Sequence, residues 1–357
     1  LTEINPRILF VPVSGPYGMG EYARSSAIAR AVRQRWANAE IRFVLSRAAP
    51  YAAQAAFPAT LLPSSPTFHS AAVIDLIRTW RPHVVIFDNA GRAAQLKAAG
   101  RSGAHVIFIS ARQRQRRKAF SWRWMPLIDE HWLAYPEFLA GKLRFLERFK
   151  LKLLRGPRVR YLDVIFSRAA PGAMTSVLSR TGLVAQRFVL VVPGGGTGHP
   201  GALGAAAQFL EAGRTIAADG VVTAFVGPAA SGAAQSPAKP DFRHLGALPQ
   251  QDLVELMRHA RLIVANGGST LLQALACGAA CVAVPIARDQ ALRIRRCVDL
   301  GVAVEARLDA HHIAARATAL LGDERARAEL ARRAAALELA DGADIAVCAL
   351  GKLIEST

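Results

Sequence analysis

Residues 261–290 carry the types and spacing best suited to chemistry: RLIVANGGSTLLQALACGAACVAVPIARDQ. Arg261–Ala265 is short, apolar and β-branched, as a strand buried on both faces should be. Asn266-Gly267-Gly268 breaks that pattern. Ser269 and Thr270 suit a helix start, and Thr270 with Gln273 has capping-box spacing. Gly278 suits a left-handed helix stop. Cys281–Pro285 reads as the next buried strand. Arg288-Asp289-Gln290 reads as a polar loop past its carboxyl end, where open α/β sheets bind ligands. Backbone N–H groups in a Gly-Gly-Ser-Thr turn, backed by a helix N-terminus, make an anion site. No lysine follows the turn, so it is not a P-loop. A diphosphate is the natural tenant, and Asp289 and Gln290 offer hydrogen-bonding groups to sugar hydroxyls.

This stretch resembles the donor-sugar signature of the two-domain GT-B glycosyltransferases. It is most like the UDP-glycosyltransferases and the N-acetylglucosaminyltransferase that forms lipid II. Phe242–Gln250 (FRHLGALPQ) resembles the segment those enzymes place against the nucleotide base. The resemblance implies that Gly267, Gly268, Ser269 and Thr270 hold the donor diphosphate. Gly195, Gly196 and Thr197 match a second donor loop, although a tight turn alone would also select glycines there. Leu248 matches the position whose backbone reads the base, with Phe225 or Gly227 lining the same pocket. Gln273 stands where relatives carry a Glu on the ribose; its other role is the capping box. Asp289 and Gln290 match the pair on the donor-sugar hydroxyls. Asn266 replaces a His of many relatives, and Arg293 replaces an Asn.

A transferase also needs a base for the acceptor hydroxyl. Many relatives carry a His after the first glycine loop; here Gly18-Met19-Gly20 leads to Glu21. Glu21 is the first candidate, and helix-start stabilisation is its alternative role. Asp88, at the end of a predicted strand, is the second. Gly18, Gly20 and Arg24 are candidates for the acceptor or an anion, with Arg24 able to orient Glu21. His199 and His244 read as loop residues before donor contacts. Retaining relatives usually carry two Glu residues around the segment matching Asn266–Gly278, which here has none, so single-displacement inversion is expected. No Asp-x-Asp motif appears, so no metal or other cofactor is expected beyond the nucleotide-sugar co-substrate.

The elements that must position these groups alternate. Arg7–Val13, Glu40–Ser46, His83–Asp88 and Ala104–Ser110 read as strands, with His131–Tyr135 a fifth. Helices are expected from Glu21 to about Trp36 and over Ala71–Trp80. A second series begins at Arg187–Pro193, with a helix to about Asp219, and continues through Val221–Gly227, Phe242–Leu248, the stretch above and Val302–Ala306. Helices over about His311–Leu321, Asp323–Leu339 and Ala343–Ile354 close the chain. Alternation implies parallel sheets. The expected fold is α/β: two Rossmann-like doubly wound domains facing across a cleft, the GT-B arrangement. The expected boundaries are 1–168 for the acceptor domain, 169–186 for a linker and 187–340 for the donor domain. Residues 341–357 would pack back on the first domain.

The chain has 357 residues and is 52% hydrophobic, enough for two cores of roughly 150 residues each. Four cysteines in this length make no disulfide framework. The formal net charge is +19, and Arg112–Arg160 contributes 14 Lys/Arg against 4 Asp/Glu. Phe138–Leu154 within it mixes Leu and Phe with Lys and Arg at helical spacing. Such a segment can lie on an anionic membrane, or be an ordinary helix with a solvated basic face. Aromatics among the basic residues could stack on bases, but no nucleic-acid signature accompanies them, and no nucleic-acid partner is expected. No apolar run reaches the ~18–20 residues of a spanning helix. The expectation is a cytoplasmic enzyme, peripheral on the inner face of the plasma membrane. It would move a sugar from a nucleotide-diphosphate sugar, UDP-linked by preference, to a lipid-linked or cell-surface glycan acceptor. The rivals are a nucleotide-sugar hydrolase or 2-epimerase of the same fold, and a non-catalytic basic protein that binds glycan or membrane.

Overall fold

The computed structural model describes residues 5–16, 19–154, 156–166, 177–194, 204–227 and 241–355. The chain divides into two units, Leu1–Ile165 with Ala340–Thr357, and Phe166–Leu339. The first unit runs β1 (Arg7–Pro12), α1 (Gly20–Arg35), β2 (Glu40–Ser46), β3 (Ala59–Leu62), α2 (Ser70–Trp80), β4 (Val84–Asp88) and α3 (Ala93–Arg101). It continues with β5 (His105–Ser110), α4 (Gln113–Ala119), β6 (Glu130–Leu133), α5 (Glu137–Ala140), α6 (Phe145–Leu153) and β7 (Arg158–Tyr161). All its strand pairs are parallel, in the order β3-β2-β1-β4-β5-β6-β7. Ile8, Leu9, Phe10 and Val11 are each 0% exposed, so β1 is covered on both faces. On one face Phe10 stacks on Phe43 at 5.0 Å and Tyr22 on Tyr51 at 4.2 Å.

The second unit runs α7 (Val177–Thr181), β8 (Val189–Val192), α8 (Ala205–Ala218), β9 (Thr223–Phe225), β10 (Phe242–His244), α9 (Gln250–His259) and β11 (Leu262–Asn266). It continues with α10 (Ser269–Ala276), β12 (Cys281–Val284), α11 (Arg288–Asp299), β13 (Val304–Glu305), α12 (Ala310–Gly322) and α13 (Glu324–Ala335). Its strands are also parallel, in the order β10-β9-β8-β11-β12-β13.

The structure departs from the sequence reading in several elements. Strands β3 and β7 were not expected. Both are four-residue edge strands, and the Arg-Val-Arg-Tyr of β7 has no apolar run to betray it. The single helix expected over Phe138–Leu154 is two, α5 and α6, parted where Gly141 adopts φ +82°. The expected strand Phe242–Leu248 keeps only three residues as β10. Arg288-Asp289-Gln290, expected as loop, is the first turn of α11.

The last helix, α14 (Gly342–Ile354), belongs to the first unit. Its Ala346, Ala349 and Leu350 are buried in the cluster that also holds Ile28 and Val32 of α1. Val164 and Asp341 form a parallel bridge, and Gly342 N–H donates to the Val164 carbonyl at 2.8 Å. A Cβ on Gly342 would strike the Leu162 carbonyl oxygen. That backbone is held by its own bond from Leu162 N–H to Leu133 O at 2.8 Å, so it cannot yield.

Two predictions follow from this packing. Gly342→Ala should destabilise the first unit by ~1–3 kcal/mol. Tryptophan fluorescence during urea unfolding reads this directly, because all five tryptophans lie in that unit. The second concerns His131, which is 0% exposed on β6 with Nε2 2.8 Å from Ser110 Oγ. Burial, with Arg116 nearby, pushes its pKa down to about 3. The unfolded chain accepts that proton near pH 6.5 and the native state declines it to about 3. Stability should therefore fall with acidification across that window, by at most ~1.4 kcal/mol per pH unit. A pH series of melting temperatures should be flatter for His131→Asn than for the natural chain.

Candidate functional site

In each sheet the strand order reverses once, between β1 and β4 and between β8 and β11. Connections leave such a seam toward opposite faces, opening a crevice at the carboxyl ends of the strands. Candidate residues gather at both seams.

In the second unit, β11 ends in Asn266, which is 4% exposed. Its Nδ2 donates to the Pro193 carbonyl, just past β8, at 2.5 Å. Its Oδ1 accepts the Gly268 N–H at 2.8 Å. One amide thus ties the two seam strands and fixes the turn. The glycines are demanded by close approach. A Cβ on Gly268 would lie 2.8 Å from Asn266 Oδ1, and one on Gly267 would lie 2.6 Å from Ile294 Cδ1 and 3.0 Å from Gln290 Cβ. Gly194 takes φ +76° directly beside the Asn266 amide. The expected capping box does not form: the N-cap of α10 is Gly268, with no side-chain cap. Thr270 and Gln273 are instead buried within the helix, and Ser269 is exposed at its start.

The first turn of α11 closes on this turn. Gln290 is 8% exposed, and its Oε1 accepts the Ile286 N–H at 3.0 Å. That orientation leaves its Nε2 facing Gly268. One helical turn on, the Arg293 guanidinium donates to the Gly267 carbonyl. It also lies 3.5 Å from Asp289, whose side chain is 76% exposed. Sequence reasoning treated Arg293 only as a departure from a pattern. Its i,i+4 spacing from Asp289 would have placed it on the same face, had α11 been expected to begin at Arg288.

Leu248 is half-buried in the segment leading to α9. Gly227 is buried, its N–H donating to Gly246 O at 3.0 Å and its carbonyl lying 2.9 Å from His244 Nε2. Phe225 is 0% exposed in the core beneath. Gly18, Gly195, Gly196, Thr197 and His199 lie outside the described residues.

In the first unit, Asp88 ends β4 at 0% exposure. Arg24 of α1 grips both its oxygens, Nε to Oδ2 at 2.9 Å and Nη2 to Oδ1 at 2.7 Å. Ser25 Oγ donates to Oδ2 at 3.3 Å. Burial pushes the Asp88 carboxyl up to about 6, against the pull of Arg24 and Ser25. Burial acts to lower the Arg24 pKa, but Asp88 outweighs it and the net shift is upward. Asn89, next in the chain, adopts φ +52°. Its Nδ2 donates to Glu21 Oε1 at 2.9 Å while its Oδ1 accepts the Ala111 N–H at 2.8 Å. Arg112 reaches the same Glu21 oxygen at 3.4 Å. The Glu21 side chain is 14% exposed, in the first turn of α1 directly after Gly20. Sequence reasoning missed Asn89 and Arg112. Asn89 lies just past the carboxyl end of the seam strand β4 and Arg112 just past that of its neighbour β5, the one signal that could have found them.

No family profile and no curated protein matches the sequence. Solved structures do match. A UDP-glucosyltransferase from Polygonum tinctorium aligns with TM-score 0.68 at 14% identity, covering 100% of both chains. The glycosyltransferase SnogD from Streptomyces nogalater gives 0.67 at 18%, covering 98% of this chain and 100% of its own. Spinosyn rhamnosyltransferase SpnG, complexed with thymidine diphosphate, gives 0.63 at 16%, covering 96% and 99%. The chain thus has the GT-B fold of two parallel α/β units, with sheets of seven and six strands.

The Arg24–Asp88 pair sets a further expectation. Asp88→Asn leaves a largely buried guanidinium without its counter-charge and should cost ~3–5 kcal/mol. Tryptophan-detected unfolding of the first unit measures it.

Proposed function

We propose that this protein is an inverting glycosyltransferase that takes its sugar from a nucleotide-diphosphate donor. The observation that carries the reading is the Asn266-Gly267-Gly268 turn at the β8/β11 seam, with the Arg293 guanidinium and the Gln290 amide closed on it. Backbone N–H groups opening α10 suit a diphosphate, and the helix dipole favours its charge. In this reading Ser269 and Thr270 hold the diphosphate at the start of α10, together with the loop at Gly195, Gly196 and Thr197, while Gly267 and Gly268, whose own N–H groups bond the Val284 carbonyl and Asn266 Oδ1, let it approach the turn closely. Arg293 supplies the fixed positive charge that a leaving nucleotide diphosphate needs. Asp289 and Gln290 face the sugar hydroxyls, Gln273 the ribose, and Leu248 and Gly227 the base. UDP is the favoured nucleotide, and thymidine diphosphate the next, since that ligand is carried by one neighbour of the same fold.

Glu21 is assigned as the base that deprotonates the acceptor hydroxyl. Asp88 is assigned as the anchor of Arg24, because both its oxygens are engaged and it is wholly buried. Asn89 and Arg112 both bond Glu21 on Oε1 and so orient the carboxylate. The acceptor hydroxyl loses its proton to Glu21 as its oxygen attacks the anomeric carbon. The bond from that carbon to the diphosphate breaks on the opposite face, and the nucleotide diphosphate leaves with the electron pair. The acceptor class that suits the basic first unit is a lipid-linked or cell-surface glycan.

Thermal shift with UDP, GDP and thymidine diphosphate should show stabilisation by at least one, ~2.7 kcal/mol at a hundred times its Kd. No shift with any would remove the donor reading. Arg293→Ala should weaken that nucleotide ~10–100-fold, as loss of a charge-assisted bond does. Glu21→Ala should leave nucleotide binding intact and lower transfer ~100-fold or more. A Glu21 variant that still transferred at the natural rate would move the base elsewhere. Free sugar released at the same rate with and without acceptor would favour a hydrolase.

A further inference from the structure

Helix α6 is built with its polarity reversed. Its one buried residue is Glu147, and all its large apolar side chains but the partly buried Leu151 face outward. Phe145 is 74% exposed, Leu146 66%, Phe149 51% and Leu153 60%. At 3.6 residues per turn, positions 145, 149 and 153 with 146 form one continuous stripe. Arg148 and Lys152 border the stripe on one side and Lys150 on the other. Glu147 is the helix's sole acid, and Arg116 neutralises it inside, at 3.1 and 2.7 Å. The outward face therefore carries only apolar and cationic groups. Trp122 extends it: the ring is 51% exposed, with Lys150 Nζ 5.4 Å from its centroid.

We infer that α6, with Trp122, docks the protein on an anionic lipid bilayer. A stripe of Phe and Leu rimmed by cations, with an indole at its edge, matches the boundary between acyl chains and charged headgroups. The surrounding stretch Arg112–Arg160 carries 14 Lys/Arg against 4 Asp/Glu, the complement of an anionic leaflet. No helix among the described residues is long and apolar enough to cross a membrane, so the contact lies on the surface. The inference does not depend on sugar transfer. Vesicle binding is read without donor, so the two readings fail separately.

The experiment is cosedimentation of the full chain with phosphatidylcholine vesicles, with and without phosphatidylglycerol. Binding should require phosphatidylglycerol and weaken with salt. Tryptophan emission should shift to the blue on binding, less so in Trp122→Phe. Phe145→Ser/Phe149→Ser/Leu153→Ser should bind at least ~10-fold more weakly, with an unchanged melting temperature. Should the triple variant misfold, Phe145→Ser alone gives the same sign. Arg148→Gln/Lys150→Gln/Lys152→Gln should also lose ~10-fold or more and much of the salt dependence. Three results would overturn the inference. One is no binding to phosphatidylglycerol vesicles; another is a triple variant that binds like the natural chain. The third is a natural oligomer that becomes monomeric in the triple variant, which would show a second copy covering the stripe.

Discussion

A parallel sheet cannot connect neighbouring strands by hairpins, so every connection crosses a face of the sheet. Where the strand order reverses, successive connections diverge and leave the strand ends between them uncovered. Both units meet this constraint once. Asp88 ends β4 beside β1, with Asn89 just past it, and Asn266 ends β11 beside β8. Past Arg7 the four seam strands are apolar and covered up to their last residues, so chemistry at the seams can be placed only at those ends.

The two seams solve the same problem with different groups. Polar side chains at buried strand ends are costly unless satisfied. In the second unit Asn266 satisfies itself with a backbone acceptor on one strand and a backbone donor in the turn. The turn is held from its other end too, since the Gly267 N–H donates to the Val284 carbonyl at 3.1 Å. In the first unit Asp88 is satisfied by a forked guanidinium, a bond with two fixed distances and hence a fixed plane. Arg24 and Glu21 stand one turn apart on α1, so fixing the one restrains the other. Asn89 holds Glu21 directly and is itself held by the Ala111 N–H from beyond β5. The left-handed backbone at Asn89 is a cost of the kind found where a side chain must be aimed.

Central strands were legible because burial on both faces demands unbroken apolar runs, as in Ile8–Val11 and Leu262–Ala265. Edge strands β3 and β7 were not, since one side of each is open and their composition is freer. The Gly267-Gly268 turn between strand and helix was legible, yet the cap of the helix was misread. Thr270 and Gln273 have the right spacing for a capping box, but Asn266 reaches the turn first from the strand end, and the box is not needed. The meeting of Arg112 with Glu21 was illegible for a different reason. It depends on which groups the topology brings together, and Glu21 and Arg112 are 91 residues apart. Spacing along the chain carries no record of such a meeting.

Helix α6 shows what local pattern can and cannot decide. Its mixture of Phe, Leu, Lys and Arg fits two opposite orientations equally well, apolar face in or apolar face out. One carboxylate settles the choice. Arg116, held among the carbonyls of Ala140, Gly141 and Lys142 at 2.6, 2.9 and 3.0 Å, presents its remaining guanidinium edge inward. Glu147 follows it, and Glu147 Oε2 also accepts the Arg144 N–H at 2.9 Å, setting where the helix begins. Once Glu147 points inward, residues 145, 149 and 153 must point outward. The helix is therefore held by an ion pair and backbone bonds, with Leu151 alone of its large apolar side chains partly covered. The outward stripe stays uncovered in the folded chain.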